Sequence, residues 1–136
     1  MRSIWYELCW HSSNGKHMTA PIFIVAGEES GDLLASRIMC AINANYGQQK
    51  WLGLGGDHMT AKGLESVSEM HRLSIIGLGE TILNYRSLLS FSDKLIEYVI
   101  QQRPQLIMTI DAKGFAVRFA ARLRRRMQGT GWTAPI

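Results

Sequence analysis

The run Ile22-Phe23-Ile24-Val25-Ala26-Gly27-Glu28-Glu29-Ser30-Gly31-Asp32 decides how the rest of the chain reads. Residues 22–25 form a continuous apolar stretch, the pattern of a strand buried on both faces of a parallel sheet. The stretch stops at a glycine, releases acids and a serine, and passes into helical spacing. Strand, tight loop and helix start together make the usual ligand position of an open α/β sheet. The charge of this loop narrows the choice of ligand. Backbone N–H groups at a helix start attract anions, but carboxylates at Glu28, Glu29 and Asp32 oppose a phosphate dianion at short range. A sugar hydroxyl suits the loop better.

Ser30 is placed to cap the helix that follows, and Asp32 suits its positive first turn. Leu33, Leu34, Ile38, Met39 and Ile42 give that helix its apolar spacing, and Asn45 and Gly47 end it. Residues 51–54 read as a second strand, followed by Gly55-Gly56. A short helix near residues 59–62 leads through Gly63 to a brief strand around 65–68. Residues 73–102 are strongly apolar. From 88 to 102 Leu95, Ile96, Val99 and Ile100 make a helical stripe that Pro104 stops. The part before it is apolar all round, which fits either core packing or an exposed surface that meets lipid. Residues 106–110 are another buried strand ending on Asp111. The last helix is expected to turn Phe115, Val117, Phe119, Ala120 and Leu123 inward and its arginines outward. Residues 132–136 read as the approach to a further strand. The order β-α-β-(α)-β-α-β-α implies a parallel sheet with helices on both faces. Nothing completes that sheet, so the chain reads as a fragment.

The 136 residues fit one domain, and 46% apolar with 19% charged residues is an ordinary globular balance. Fifteen Lys+Arg against eleven Asp+Glu leave a formal charge of +4. The excess is local: Arg118, Arg122, Arg124, Arg125 and Arg126. Such a cluster suits nucleic acid, an anionic membrane surface or phosphate, or is a solvated helix face. Cys9 and Cys40 have no metal-ligand spacing, and Cys40 among Ile38, Met39, Ala41 and Ile42 reads as a buried reduced thiol, which favours the cytosol. No run of about 18 apolar residues spans a membrane. Residues 1–17 lack the apolar core of a signal peptide. They read as a disordered extension or a start-site artefact, with Met18 a better start, so the domain is taken as 18–136.

Glu28 and Asp111 both stand just past the carboxyl ends of strands, where two carboxylates can face one crevice. Either could serve as general base towards a substrate hydroxyl, or merely cap a helix or solvate a loop. Glu29 reads as plain surface. Gly53-Leu54-Gly55-Gly56 resembles half of a dinucleotide fingerprint, but His58 stands where the last glycine should be and the cluster follows the second strand, so turn glycines are the simpler reading. His58 and His71 flank loops on the same side of the sheet. No spacing suggests a metal site, and there is no nucleophile elbow, Walker loop or CxxC.

Four segments, Ala26-Gly27-Glu28-Glu29-Ser30-Gly31-Asp32, Gly53-Leu54-Gly55-Gly56-Asp57-His58-Met59, Leu73-Ser74-Ile75-Ile76-Gly77-Leu78-Gly79-Glu80 and Ile110-Asp111-Ala112, resemble in their order and spacing the lipid-A-disaccharide synthase family. The resemblance implies the incomplete N-terminal, acceptor-side domain of an inverting glycosyltransferase with two Rossmann-like domains (a GT-B fold). The implied reaction moves diacylglucosamine from UDP-2,3-diacylglucosamine onto 2,3-diacylglucosamine 1-phosphate. It needs no cofactor, metal or nucleic acid, and takes place at the inner face of a bacterial inner membrane. Asp111 becomes the general base for the acceptor 6-hydroxyl, with Glu28 and Ser30 shaping the substrate site. Ile82, Tyr85, Leu88 and Leu89 become membrane- and acyl-facing, and Arg86 a partner for anionic headgroups or the acceptor phosphate. Lys113 and Gly114 depart from the proline and aspartate usual in the family. Without a second domain the UDP-sugar site does not form, so the 136 residues alone are expected to be inactive. The competing readings are a non-catalytic nucleotide- or cofactor-binding α/β module and an interaction remnant that has lost activity.

Overall fold

The computed structural model describes residues 20–69 and 82–136; the side chains of residues 68, 69, 82–88 and 113 lie outside that description. Also outside it fall the 1–17 extension, Cys9, His71 and the segment from Leu73 to Glu80. The elements run β1 (Ile22–Ala26), α1 (Glu29–Tyr46), β2 (Trp51–Gly55), α2 (Asp57–Thr60), β3 (Leu64–Glu69), α3 (Ile82–Gln102), β4 (Leu106–Ile110) and α4 (Lys113–Met127). The four strands form one parallel sheet in the order β3-β2-β1-β4. The chain therefore steps outward from β1 through β2 to β3, then crosses back to the other side of β1 to lay down β4.

Strand alternation divides β1 between two cores. Phe23 and Val25 join Leu52, Leu54 and Ile107 beneath Leu95, Ile96 and Val99 of α3 and Phe119 and Leu123 of α4. Ile22, Ile24 and Ala26 join Trp51 and Leu64 beneath Ala35 and Met39 of α1 and Met59 of α2. Helices on both faces follow from the all-apolar β1.

Several side chains take other places than the pattern predicts. The buried face of α1 is Gly31, Asp32, Ala35, Ser36 and Met39, while Leu33 and Leu34 are 40% and 51% exposed. Val117 is 73% exposed rather than inward, because a residue two positions from Phe119 lies on the opposite side of a helix. Cys40 is half-buried rather than buried. Gly55, expected just past the second strand, is the last residue of β2. Gly53 has φ +146°, and a Cβ there would run into the backbone oxygen of Ile24 on β1.

The arginines divide. Arg122 meets Asp93 at 2.6 Å and Arg126 meets Glu97 at 3.4 Å, tying α4 to α3, while Arg124 and Arg125 are exposed in the last turn of α4, where its dipole favours cations. Residues 132–136 take no strand assignment, yet the Ile107 N–H donates to the Pro135 carbonyl at 3.0 Å, along the side of β4 away from β1.

Candidate active site

The reversal of strand order between β1 and β4 makes a switch point, the place at the carboxyl ends of neighbouring strands where an open α/β sheet usually takes its ligand. The loop after β1 carries Glu28 and passes into Glu29 and Ser30 in the first turn of α1; the loop after β4 carries Asp111. Their backbones touch: the Gly27 N–H donates to the Ile110 carbonyl at 3.2 Å. A Cβ on Gly27 would lie 2.6 Å from the Asp111 carbonyl oxygen and 2.7 Å from the Cα of Ala112, so only glycine lets the loops approach this closely. Gly31 repeats the constraint one turn on, where a Cβ would stand 3.0 Å from the Asp111 Cβ and from the Ile110 carbonyl oxygen.

Asp111 has φ +50°. Left-handed backbone is uncommon outside glycine, though aspartate tolerates it better than most residues. Its side chain is exposed, and its Oδ2 accepts a hydrogen bond from the Ser30 Oγ at 2.5 Å across the crevice. Ser30 is therefore not a cap. The N-cap of α1 is Glu28, extended at φ −140° and without a side-chain capping bond, and the N-cap of α4 is Ala112, equally without one. Neither cap residue, Glu28 or Ala112, makes a side-chain capping bond, and both acids are exposed. Glu28 and Glu29 are exposed on the same loop. Lys113 and Gly114 begin α4 without interrupting it, and Gly114 faces open space.

Asp32 has a role that its position in the sequence conceals. It lies in the first turn of α1, but it is buried and points away from that helix towards α2. Its Oδ1 accepts from the backbone N–H groups of Gly56 and Met59 at 2.8 and 3.1 Å, and its Oδ2 from that of His58 at 2.9 Å. The signal available was Gly-Gly ahead of a short helix whose amides need an acceptor. This bears directly on the nucleotide-module reading. The amides after β2 that an incoming phosphate would use are already held by a carboxylate of the chain itself. His58 is exposed at this end of the sheet. Of the expected acyl-facing residues, Ile82, Tyr85 and Leu88 lie on α3 with side chains outside the description, and Leu89 is half-buried.

A family model described as lipid-A-disaccharide synthetase matches residues 22–130, from the start of β1 to just past α4. The chain belongs to the lipid-A-disaccharide synthase family. It is 39% identical over 110 residues to the lipid-A-disaccharide synthase of Pseudomonas syringae pv. tomato, covering 79% of this chain and 29% of that protein. The Pseudomonas putida W619 lipid-A-disaccharide synthase is 38% identical over 104 residues, covering 76% of this chain and 28% of its own. That of Alcanivorax borkumensis is 33% identical over 105 residues, 77% of this chain and 27% of its own. The matched part thus amounts to less than a third of these lipid-A-disaccharide synthases. It includes both walls of the crevice, Glu28 to Asp32 on one side and Asp111 on the other.

Proposed function

We propose that this chain supplies the acceptor side of an inverting glycosyltransferase that makes the lipid A disaccharide, within the N-terminal domain of a GT-B fold spanning residues 18–136. Asp111 acts as general base: its carboxylate takes the proton of the acceptor 6-hydroxyl as that oxygen attacks the anomeric carbon of UDP-2,3-diacylglucosamine. The bond from the anomeric carbon to the UDP oxygen breaks, UDP leaves with the electron pair, and a single displacement inverts the centre. The acceptor in this reading is 2,3-diacylglucosamine 1-phosphate, with Glu28 beside its sugar. A further part of the protein holds the UDP group, and these residues alone do not catalyse.

The observation that carries the reading is the exposed Asp111 carboxylate at the β1–β4 switch point, facing an acidic loop whose charge repels phosphate but accepts hydroxyl groups. Leu33 and Leu34 support the acylated acceptor. They follow Ser30 by three and four positions, the spacing of one helix face, and are large apolar side chains left in solvent. Among the described residues no helix is long and apolar enough to cross a membrane. In this reading the lipid at the cytoplasmic face is met by a peripheral surface, for which Ile82, Tyr85, Leu88 and Leu89 are the candidates.

The test places residues 22–130 of this chain in register in the Pseudomonas syringae relative and measures transfer of the sugar. The chimera is expected to turn over, and Asp111→Asn to lower kcat about 10²- to 10⁴-fold, the range of a lost general base. Near-normal turnover in that variant removes Asp111 as the base.

A further inference from the structure

Ser30 has one hydroxyl proton to donate, and in this structure it is given to Oδ2 of Asp111. The donor stands on a mount braced from both sides. Asp32, two residues on, fastens the first turn of α1 to the amides of Gly56, His58 and Met59. The Gly27 N–H fastens the start of the loop to Ile110, and the bare Cα of Gly31 lets the turn settle against the Asp111 side chain. The acceptor of the bond, Asp111, is exposed and occupies a left-handed corner between β4 and α4. A carboxylate so placed rotates about χ1 unless something engages one of its oxygens.

We propose that Ser30 is a positioning residue: it engages Oδ2 of Asp111, fixes the carboxylate rotamer and leaves Oδ1 turned to the crevice for the incoming hydroxyl. This rests on the general-base reading above and replaces a direct substrate-binding role for Ser30. The hydroxyl acts through Asp111, and the braced first turn of α1 sets the distance. A productive geometry held on a rigid element is worth more to catalysis than one held by a loop.

Two measurements decide it. In this chain itself, three-bond NMR couplings report the Asp111 χ1 rotamer. A single rotamer is expected in the native sequence and in Ser30→Thr, which keeps the hydroxyl, and rotamer averaging in Ser30→Ala. Unchanged couplings in Ser30→Ala overturn the proposal. In the active chimera a double-mutant cycle is run with Asp111→Asn. Ser30→Ala is expected to lower kcat about 10- to 100-fold, the value of a hydrogen bond to a charged group, with the KM for the acceptor little changed. Ser30→Thr recovers most of that loss, and Ser30→Ala adds nothing further once Asp111 is asparagine. A raised KM at constant kcat, or additive effects in the cycle, shows that Ser30 touches substrate instead and defeats the proposal. Full activity in Asp111→Asn alone defeats the general-base reading, while the couplings still judge the Ser30 contact.

Discussion

Asp32 places two carboxylate oxygens on three backbone amides, and it does so out of reach of solvent. Its removal takes the acceptor from three amides at the start of α2, of which that of Met59 is buried, so Asp32→Ala is expected to cost about 3 kcal/mol, the range for hydrogen bonds to a charged group. Asp32→Asn should cost less, since one oxygen can still serve Gly56 and Met59 while its amide faces the His58 N–H. Urea unfolding of this chain measures both, and equal stability of all three proteins would show that the amides find other partners. Neighbouring residues show how far sequence reading reaches at this scale. That Glu28 and Asp111 follow neighbouring strand ends was legible, because strand ends in a parallel sheet share one edge. Ser30 and Asp32 were not, since both were assigned to their own helix: a serine at a helix start is usually a cap and an acid there usually answers the dipole. Each instead serves a segment far away in sequence, a contact that local pattern cannot encode.

The elements themselves were largely visible in the pattern. The strand at 106–110 has the expected bounds, and Tyr46 closes α1 just before Gly47. The last helix begins beside Asp111 as read. What the pattern misjudged was rotation about the helix axis. In α1 the apolar residues pointed to Leu33 and Leu34 as core, yet the buried Asp32 and the close approach at Gly31 turn small residues onto the sheet and the leucines outward. In α4 the buried side is Phe119, Leu123 and Met127, four apart, and Val117 cannot share it. Leu123→Ala is accordingly expected to destabilise the chain by about 2–5 kcal/mol through the cavity it leaves. Val117→Ala should change stability by less than about 0.5 kcal/mol. Thermal or urea denaturation separates the two, and a large cost at Val117 would contradict the assigned face. The arginines of α4 had two readings, and the structure divides them: Arg122 and Arg126 meet acids of α3, while Arg124 and Arg125 remain in solvent at the helix end.

Across the whole molecule, the order β3-β2-β1-β4 brings Glu28 and Asp111 to adjacent strand ends although they are far apart in the chain. The lipid-facing proposal belongs to this scale too. Serine at Ile82, Leu88 and Leu89 together is expected to weaken binding to anionic phospholipid vesicles by about tenfold or more, as buried apolar area is lost from the interface. Co-sedimentation measures it, with circular dichroism as the control; unfolding in place of lost binding would assign these residues to the core. The sequence by itself determined the α/β class, the parallel strands, the family and the acidic character of the first loop, because all of these are written in local periodicity and short motifs. Only the tertiary structure decided which way α1 is rotated, that Asp32 occupies the amides after β2, and that Ser30 reaches Asp111. Asp32 meets the loop after the neighbouring strand β2, and Ser30 meets Asp111 across the β1–β4 pair, where glycine at positions 27 and 31 lets the two loops close; neither contact lies within one local segment.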